Sequence, residues 1–344
     1  MRMSLLGKIM ATTVFTFLFL LGITTWSPTG DCAAATNDVI KIKFSYQYPP
    51  AHFCAVKAED FAKQLRQAAG DRIEITTFGS GSLYKPDKIV GALGKGVVQM
   101  GSVNTSMLAS LSKDFMVEGT WFMHTEQIFT FWDGPEAARK AWAQMEAKTH
   151  IKRLAWVPIG PYVLATKEPV RRLEDFAGLS ARYPSLVEAP NYKALNMKYL
   201  SVPTAEVYTA LERGMVNAVA SLPSAMKGYG WWDYLKYWIR PYVGAQSAFI
   251  GMNMVFWNRL PNDLKEIFLK VGEKISKESI QDVMDYSNAM FDEVVKDKGG
   301  EIITLPPSEV KRIKEQLEKG GAYAEFKKEV SPAVWDAYLK YTGN

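Results

Sequence analysis

Few residues in this chain of 344 residues have the types and spacing that catalysis requires. Cys54 follows His52 by two positions at a predicted helix start, a spacing that directs the two side chains apart. A small buried thiol is therefore a better interpretation than a nucleophile. The three histidines are widely separated, and no G-x-S-x-G, H-E-x-x-H or C-x-x-C motif is present. We expect no catalytic site, no metal ion and no cofactor.

Two glycine-containing segments could have bound a nucleotide. Residues 79–84, GSGSLY, follow a predicted strand, but Tyr84 stands where the third glycine of a dinucleotide loop belongs. Residues 94–96, GKG, lack the Ser or Thr that ends a phosphate-binding loop. Both segments therefore indicate turns.

Arg182 offers a different chemistry, which is anion binding. It lies in residues 178–185, GLSARYPS, near the end of a short run of small and apolar residues that predicts a strand. Open α/β sheets bind ligands beyond the carboxyl ends of their strands. A guanidinium there can bind a carboxylate or a sulfonate through two parallel hydrogen bonds. An ordinary surface ion pair is the alternative.

Strands and helices alternate in the first part of the chain. Residues 40–46, 73–78 and 97–103 have strand patterns, and helical patterns separate them. This alternation predicts a parallel sheet covered by helices. A strand pattern at 152–157 ends at the proline-rich residues 158–161, and a second α/β unit follows. We expect a hinge at this break.

Two long segments join these units. Residues 247–256 are apolar and predict a buried strand that returns to a sheet. Residues 261–298 have a helical pattern, and a helix of that length would extend about 55 Å. It would brace both lobes of a two-lobed α/β protein, each lobe a mixed sheet flanked by helices. We assign residues 36–160 and 248–290 to lobe I, and 161–247 and 291–344 to lobe II.

The N-terminal segment resembles a secretory signal peptide over residues 1–35. Arg2 and Lys8 precede a short apolar run, and small residues ending at Ala35 form the exit. The run is short for a hydrocarbon core of ~30 Å. Cys32 lacks the preceding aliphatic residue of a lipid-attachment site. We therefore predict a periplasmic protein.

Composition excludes several other classes of protein. Apolar residues make up 48% of the chain and charged residues 22%, as in soluble globular proteins. The formal net charge is +5, and the basic residues are scattered, so we expect no nucleic-acid partner. Only Cys54 would remain after signal cleavage, which excludes an intramolecular disulfide.

Five segments in order resemble the periplasmic solute-binding subunits of tripartite ATP-independent periplasmic (TRAP) transporters, of the dicarboxylate-binding, DctP-like type. The first is the strand, loop and helix IKIKFSYQYPPAHFCAVKAEDFAKQL. The third, LEDFAGLSARYPS, is similar to the family's P-E-D-L-x-G-x-K-x-R stretch. The others are GSGSLYKPDKIVGALGKGVVQMG, PTAEVYTALERGMVNAV and NMVFWNRLPNDLKEIF.

The resemblance implies a protein that closes two lobes around one small organic anion and passes it to membrane permease subunits. We expect it to be a monomer. The family's ligand-binding arginine falls on Arg182. A second arginine that is common in the family is absent, and Tyr162 lies nearby. These departures favour a singly charged ligand, or a small one whose other end meets hydroxyls and aromatic rings. A short monocarboxylate or a sulfonate would fit. His52 joins the candidates because it follows a strand end. The remaining positions implied are Tyr46, Gln47, Asn104, Trp156, Tyr183, Val202 and Ser221.

Two other functions remain open on the sequence. An exported enzyme, for instance a lyase acting on a small organic acid, could use the same cleft. A sensory module could instead present the closed lobes to a membrane receptor.

Overall fold

The computed structural model describes residues 39–123, 126–183 and 186–343. The predicted signal peptide and His124 lie outside the described residues. Within the described ranges, no helix has both the length and the apolar character needed to cross a membrane.

The strands alternate with helices along most of the chain, as the sequence pattern predicts. The strands are β1 Ile40–Ser45, β2 Ile73–Phe78, β3 Met100–Asn104, β4 Ile151–Thr166, β5 Ser180–Tyr183, β6 Lys198–Ser201, β7 Ala218–Ser221, β8 Tyr237–Arg240, β9 Gly244–Asn253 and β10 Glu301–Thr304. The α-helices are α1 Phe53–Ala69, α2 Pro86–Gly94, α3 Glu136–Thr149, α4 Ala189–Ala194, α5 Val207–Glu212, α6 Pro223–Gly228, α7 Met254–Arg259, α8 Asn262–Lys298, α9 Pro307–Lys319, α10 Ala322–Glu329 and α11 Pro332–Thr342.

The first half of the sheet has the order β2-β1-β3-β9-β4. Strand β1 is parallel to β2 and to β3, which confirms the parallel arrangement expected from the alternating pattern. Strand β9 returns from later in the chain and lies antiparallel to β3 and to β4. Helix α1 connects β1 to β2 and packs on β2, and helix α2 precedes β3 and packs on it, because βα connections place helices on the sheet faces.

The second half contains β7, β5 and β6, which are parallel to one another, with β7 antiparallel to β4. Strand β8 also pairs with β4, and β10 pairs with β8. The two halves therefore share β4. Its first part pairs with β9 alone, and its last residues pair with β7 and β8.

The predicted break at residues 158–161 is wrong in one respect, because β4 runs through it as a single strand. The pairing with β9 shifts register between Pro158 and Gly160, and Gly160 has a φ of 125°, which strains a residue with a side chain. A β-bulge bends a strand without ending it, and it tolerates prolines that cannot donate to the ladder. The prolines mark a bend here.

Helix α8 contacts both halves, as the predicted bracing helix should. Near its start, the backbone of Gly272 packs against Leu154 of the first half. Near its end, Phe291 packs edge-on against Trp238 of the second half, with ring centroids 5.3 Å apart. The exact residue boundaries of the two lobes stay a prediction.

Candidate functional site

A cavity of about 690 Å³ lies at the carboxyl ends of strands from both halves of the sheet. Gln47 and Asn104 come from the ends of β1 and β3, and Arg182, Val202 and Ser221 come from the ends of β5, β6 and β7. Parallel strands present these ends at one edge of the sheet, where α/β proteins bind ligands. The volume is within the range of small-molecule sites.

Arg182 is held in a fixed position in the cavity wall. Its side chain is buried, with 4% of the residue exposed. Nε donates to the carbonyl oxygen of Val202 at 3.1 Å, and Nη2 donates to Oγ1 of Thr204 at 2.9 Å. The guanidinium lies 5.8 Å from the ring centroid of Trp231. No hydrogen bond joins Nη1 to any described residue, so this nitrogen is available to a ligand.

The charge of Arg182 has no ion-pair partner within 4.0 Å among the described residues. Burial lowers the pKa of Arg182, and the neighbouring tyrosines and Glu188 oppose that shift. Burial raises the pKa of Glu188 to about 8, although the charge of Arg182 opposes this rise. The Glu188 carboxyl therefore stays mostly protonated at neutral pH. An unpaired buried cation is costly, and a bound anion would remove that cost.

The paired strands β4 and β9 contribute two polar residues to the cavity. Tyr162 on β4 donates its hydroxyl hydrogen to Oε1 of Gln246 on β9 at 2.5 Å. Ser221, at the end of β7, lines the same region. Neither Nε2 of Gln246 nor Oγ of Ser221 is hydrogen-bonded to a described residue. Both can bind polar atoms of a ligand.

The wall opposite Arg182 is a network of neutral polar groups. Gln47 donates from Nε2 to Oδ1 of Asn104 at 2.9 Å, and the Tyr48 hydroxyl donates to the same oxygen. Oε1 of Gln47 is buried without a hydrogen-bond partner in the described part of the chain. The Tyr48 ring stacks on the His52 ring at 4.5 Å between centroids.

His52 lines the cavity and also begins helix α1. Its Nδ1 accepts a hydrogen bond from the backbone N–H of Cys54 at 3.1 Å, which caps the helix. Since Nδ1 accepts, the hydrogen of the neutral imidazole lies on Nε2. Burial lowers the pKa of His52 to about 3, so the ring is uncharged at neutral pH. Burial also raises the pKa of the Cys54 thiol.

Seven of the ten residues selected from the sequence line this cavity. They are Arg182, Gln47, His52, Asn104, Tyr162, Val202 and Ser221. The structure brings them together from positions far apart in the chain. Their contact with a ligand stays a prediction.

The structure places Tyr46, Trp156 and Tyr183 outside the lining of this cavity. The Tyr46 hydroxyl donates to Glu59 at 2.5 Å, and Nε1 of Trp156 donates to Asp133 at 2.5 Å. Tyr183 packs edge-on against a tyrosine of β6. Tyr183 follows the lining residue Arg182 within β5, and successive side chains of a strand alternate between faces. A position wrong by one residue therefore moves to the other face.

Several lining residues were not selected from the sequence. Tyr48 lies beyond the carboxyl end of β1 and could have been found by the strand-end rule, whereas Gln246 lies near the start of β9, which that rule does not cover. Thr204 follows β6, where it holds the guanidinium of Arg182. Tyr229 and Trp231 come after α6, and their rings stack with centroids 5.1 Å apart. No strand ends there, so no pattern in the sequence identifies them.

The described residues contain no group of three or more His, Cys, Asp or Glu side chains that could hold a metal ion. The cavity wall instead combines one cation with neutral donors and aromatic rings. Such a wall can bind an anion, and it lacks a nucleophile paired with a base among the described lining residues.

Comparisons with known proteins find a family model and several relatives. The family model DctP, described as bacterial extracellular solute-binding protein, family 7, matches residues 44–329. The C4-dicarboxylate-binding periplasmic protein DctP of Rhodobacter capsulatus is 27% identical over 264 residues, which cover 75% of this chain and 76% of that protein. The monocarboxylate 2-oxoacid-binding periplasmic protein of Nostoc sp. is 23% identical over 250 residues, which cover 67% of this chain and 64% of that protein.

Solved structures share the fold. DctP7 of Bordetella pertussis, an extracytoplasmic solute receptor binding pyroglutamic acid, has a TM-score of 0.80 and 22% identity, over 89% of this chain and 100% of that chain. The sugar acid binding protein DctPAm of Advenella mimigardefordensis, solved with galactonate, has a TM-score of 0.81 and 17% identity, over 89% and 99% of the two chains. These likenesses confirm the predicted two-lobed α/β fold.

Proposed function

Since the chain belongs to family 7 of the bacterial extracellular solute-binding proteins, we propose that it captures a small organic anion outside the cytoplasm. It then delivers the anion to the membrane permease subunits of a TRAP-type transporter. In this proposal residues 1–35 direct export to the periplasm. The protein binds its ligand without transforming it.

The observation that carries this proposal is the environment of Arg182. The guanidinium is 4% exposed, two of its nitrogens are held by Val202 and Thr204, and no described carboxylate lies within ion-pair distance. Fixing a guanidinium in this way leaves less conformational entropy to lose when a carboxylate binds. The buried charge thus becomes favourable only with an anion bound.

Lobe closure supplies the capture mechanism. The cavity is lined from both halves of the sheet, so a ligand that contacts both walls binds the closed form more tightly than the open form. Ligand binding therefore raises the ratio of closed to open protein by up to the factor that separates the two affinities. The two halves share β4, and the register shift between Pro158 and Gly160 is the place where this strand can bend.

A carboxylic acid is a better candidate than a sulfonate. The relatives are named for a C4-dicarboxylate and for monocarboxylate 2-oxoacids, and the solved structures for pyroglutamic acid and galactonate. All of these are carboxylic acids. The enzyme alternative is weaker, because the Cys54 thiol is buried and His52 uses Nδ1 to cap a helix.

Calorimetric titration of three variants tests the proposal, after a thermal-shift screen with carboxylates, oxo-acids, sugar acids and sulfonates has identified a bound acid. We expect Arg182→Ala to weaken its binding by about 100-fold or more, since loss of one partner from a buried ion pair costs about 3–5 kcal/mol. Arg182→Lys should also bind poorly, because lysine lacks the planar pair of donors.

Arg312→Ala is the matched control. It removes a surface guanidinium that pairs with Glu174 and Glu309, far along the chain from the cavity residues. Its affinity for the acid should equal that of the wild type. Unchanged affinity in Arg182→Ala would show that the anchor is wrongly assigned.

A further inference from the structure

We propose that the cavity selects a singly charged organic acid with a neutral oxygen at its far end, and that His52 donates a hydrogen bond to this oxygen from Nε2. The inference rests on the proposed function, because Arg182 must hold the carboxylate. It adds the chemistry of the opposite end of the ligand. A dicarboxylate is predicted to bind less well.

The charges around the cavity support a ligand with one negative charge. Among the described lining residues, Arg182 is the one buried cation, and the other cation, Lys85, is exposed together with Asp87. Asp87 pairs with Lys88, and Lys85 is exposed to solvent, where its charge contributes little to binding. A second carboxylate bound against the far wall would therefore be buried without a cation, which is unfavourable.

The wall opposite Arg182 can instead form hydrogen bonds with a neutral oxygen. Oδ1 of Asn104 already accepts two hydrogen bonds, from Gln47 and from Tyr48, so its Nδ2 is left to donate. Oε1 of Gln47 is a buried acceptor without a described partner. A hydroxyl group on a ligand could accept from a donor of this wall and donate to such an acceptor. A carboxylate can only accept.

His52 is the donor of this wall whose direction is best fixed. The helix cap uses Nδ1, and stacking on Tyr48 holds the plane of the ring. The hydrogen is therefore confined to Nε2, where no described residue accepts it. Because the pKa of His52 is lowered to about 3 by burial, the ring donates without adding a positive charge that would attract a second carboxylate.

Matched acids test the selection directly. Titration calorimetry at one pH would compare unbranched acids of four, five and six carbons, each with a terminal hydroxyl, a terminal carboxylate or a plain methyl end. At the chain length that spans the cavity, the hydroxy acid should bind roughly 10-fold or more tightly than the plain acid, the value expected when a buried donor is left unpaired. The diacid should bind more weakly than the hydroxy acid.

Two variants assign the selection to His52. His52→Ser keeps a hydroxyl that can cap α1 but removes the imidazole donor. The ratio of affinities between hydroxy acid and plain acid should fall to within about 3-fold of unity, since the hydrogen bond that separated them is gone. Tyr46→Phe is the control, because it removes a hydrogen bond to Glu59 from a neighbouring residue outside the cavity. Its ratio should match the wild type.

A measurement on the wild-type protein avoids any effect of substitution on folding. Nuclear magnetic resonance with ¹⁵N-labelled histidine should show the neutral tautomer with hydrogen on Nε2 for His52. Its Nε2–H resonance should shift when the hydroxy acid is added and shift less with the plain acid.

The outcomes separate the two proposals. If Arg182→Lys weakens binding of every acid but diacids bind as tightly as hydroxy acids, the proposed function stands and this inference is overturned. A preference for the hydroxy acid that persists in His52→Ser also overturns it. If acids bind and Arg182→Lys changes none of their affinities, the proposed function itself fails. Absence of binding by all nine acids overturns the inference, while the broader screen decides the function.

Discussion

The hydroxyl of Tyr162 and Oε1 of Gln246 are 2.5 Å apart, and this hydrogen bond joins β4 to β9 at the cavity. It fixes the Gln246 amide so that its oxygen is occupied and its Nε2 hydrogens remain for a ligand. The middle of the cavity can therefore donate hydrogen bonds to a ligand, as the two walls can.

Tyr162→Phe should weaken binding of the anion by roughly 5- to 20-fold, because Oε1 of Gln246 loses its donor and can rotate toward the negative charge. Titration calorimetry measures this effect. Tyr323→Phe is the control, since its hydroxyl donates to the carbonyl oxygen of Trp121 at 2.8 Å, outside the cavity lining. Equal losses of affinity in the two variants would contradict the role of the Tyr162–Gln246 bond.

Glu118 should make stability depend on pH. The carboxyl accepts from Nε1 of Trp132 at 2.6 Å, from the backbone N–H of Ser247 at 3.1 Å and from the Thr105 hydroxyl. Burial nevertheless raises its pKa from 4.5 to about 7. Between these values the folded protein retains a proton that the unfolded chain releases. The contribution of Glu118 is therefore fully present below pH 4.5 and is lost as the pH rises through about 7, a change of about 3 kcal/mol.

Glu118→Gln removes this dependence and retains a side chain that can both donate and accept. Relative to the wild type, the variant should become more stable as the pH is raised from 5 to 8, which urea unfolding at each pH would measure. His52 has the opposite sign, since its lowered pKa costs stability as the pH falls from 6.5 toward 3, but it is common to both proteins. Glu266→Gln, on the exposed face of α8, should show no such change. A constant difference between Glu118→Gln and wild type across this pH range would refute the prediction.

Gly272 should be essential for the packing of α8 on β4. A Cβ at this position would lie 2.0 Å from the carbonyl oxygen of Leu154, which is backbone and cannot move aside cheaply. Gly272→Ala should lower the free energy of unfolding by at least about 2 kcal/mol, in the range of an overpacked core. Gly91→Ala is the matched control in helix α2, where a Cβ meets nothing within 4 Å. It should raise that free energy by about 0.5–1 kcal/mol.

Urea or thermal unfolding compares these two glycine variants. The prediction fails if both alanines stabilise the protein, because the helix would then have room to move away from β4.

Most of the fold could be predicted because hydrophobic periodicity reports on local structure. The parallel alternation around β1, β2 and β3 and the helix at residues 262–298 both follow from repeating patterns of burial. The continuity of β4 could not be predicted, because prolines at 158 and 161 indicate an interruption until the pairing partner is known. Strand β9 supplies that partner and accommodates the prolines at a bulge.

The sequence by itself indicated that Arg182 lies at the end of a short strand, and it left a cleft position and a surface ion pair as the two alternatives. It also determined the order of the strands and helices. Only the tertiary structure decided which neighbours reach the same cavity, because Tyr46 and Gln47 differ by one position and face different surroundings. Tyr229 and Trp231 show the same limit, since they reach Arg182 through chain folding that no local pattern encodes. Local patterns fix the elements, whereas side-chain direction at strand ends depends on contacts between residues far apart in the chain.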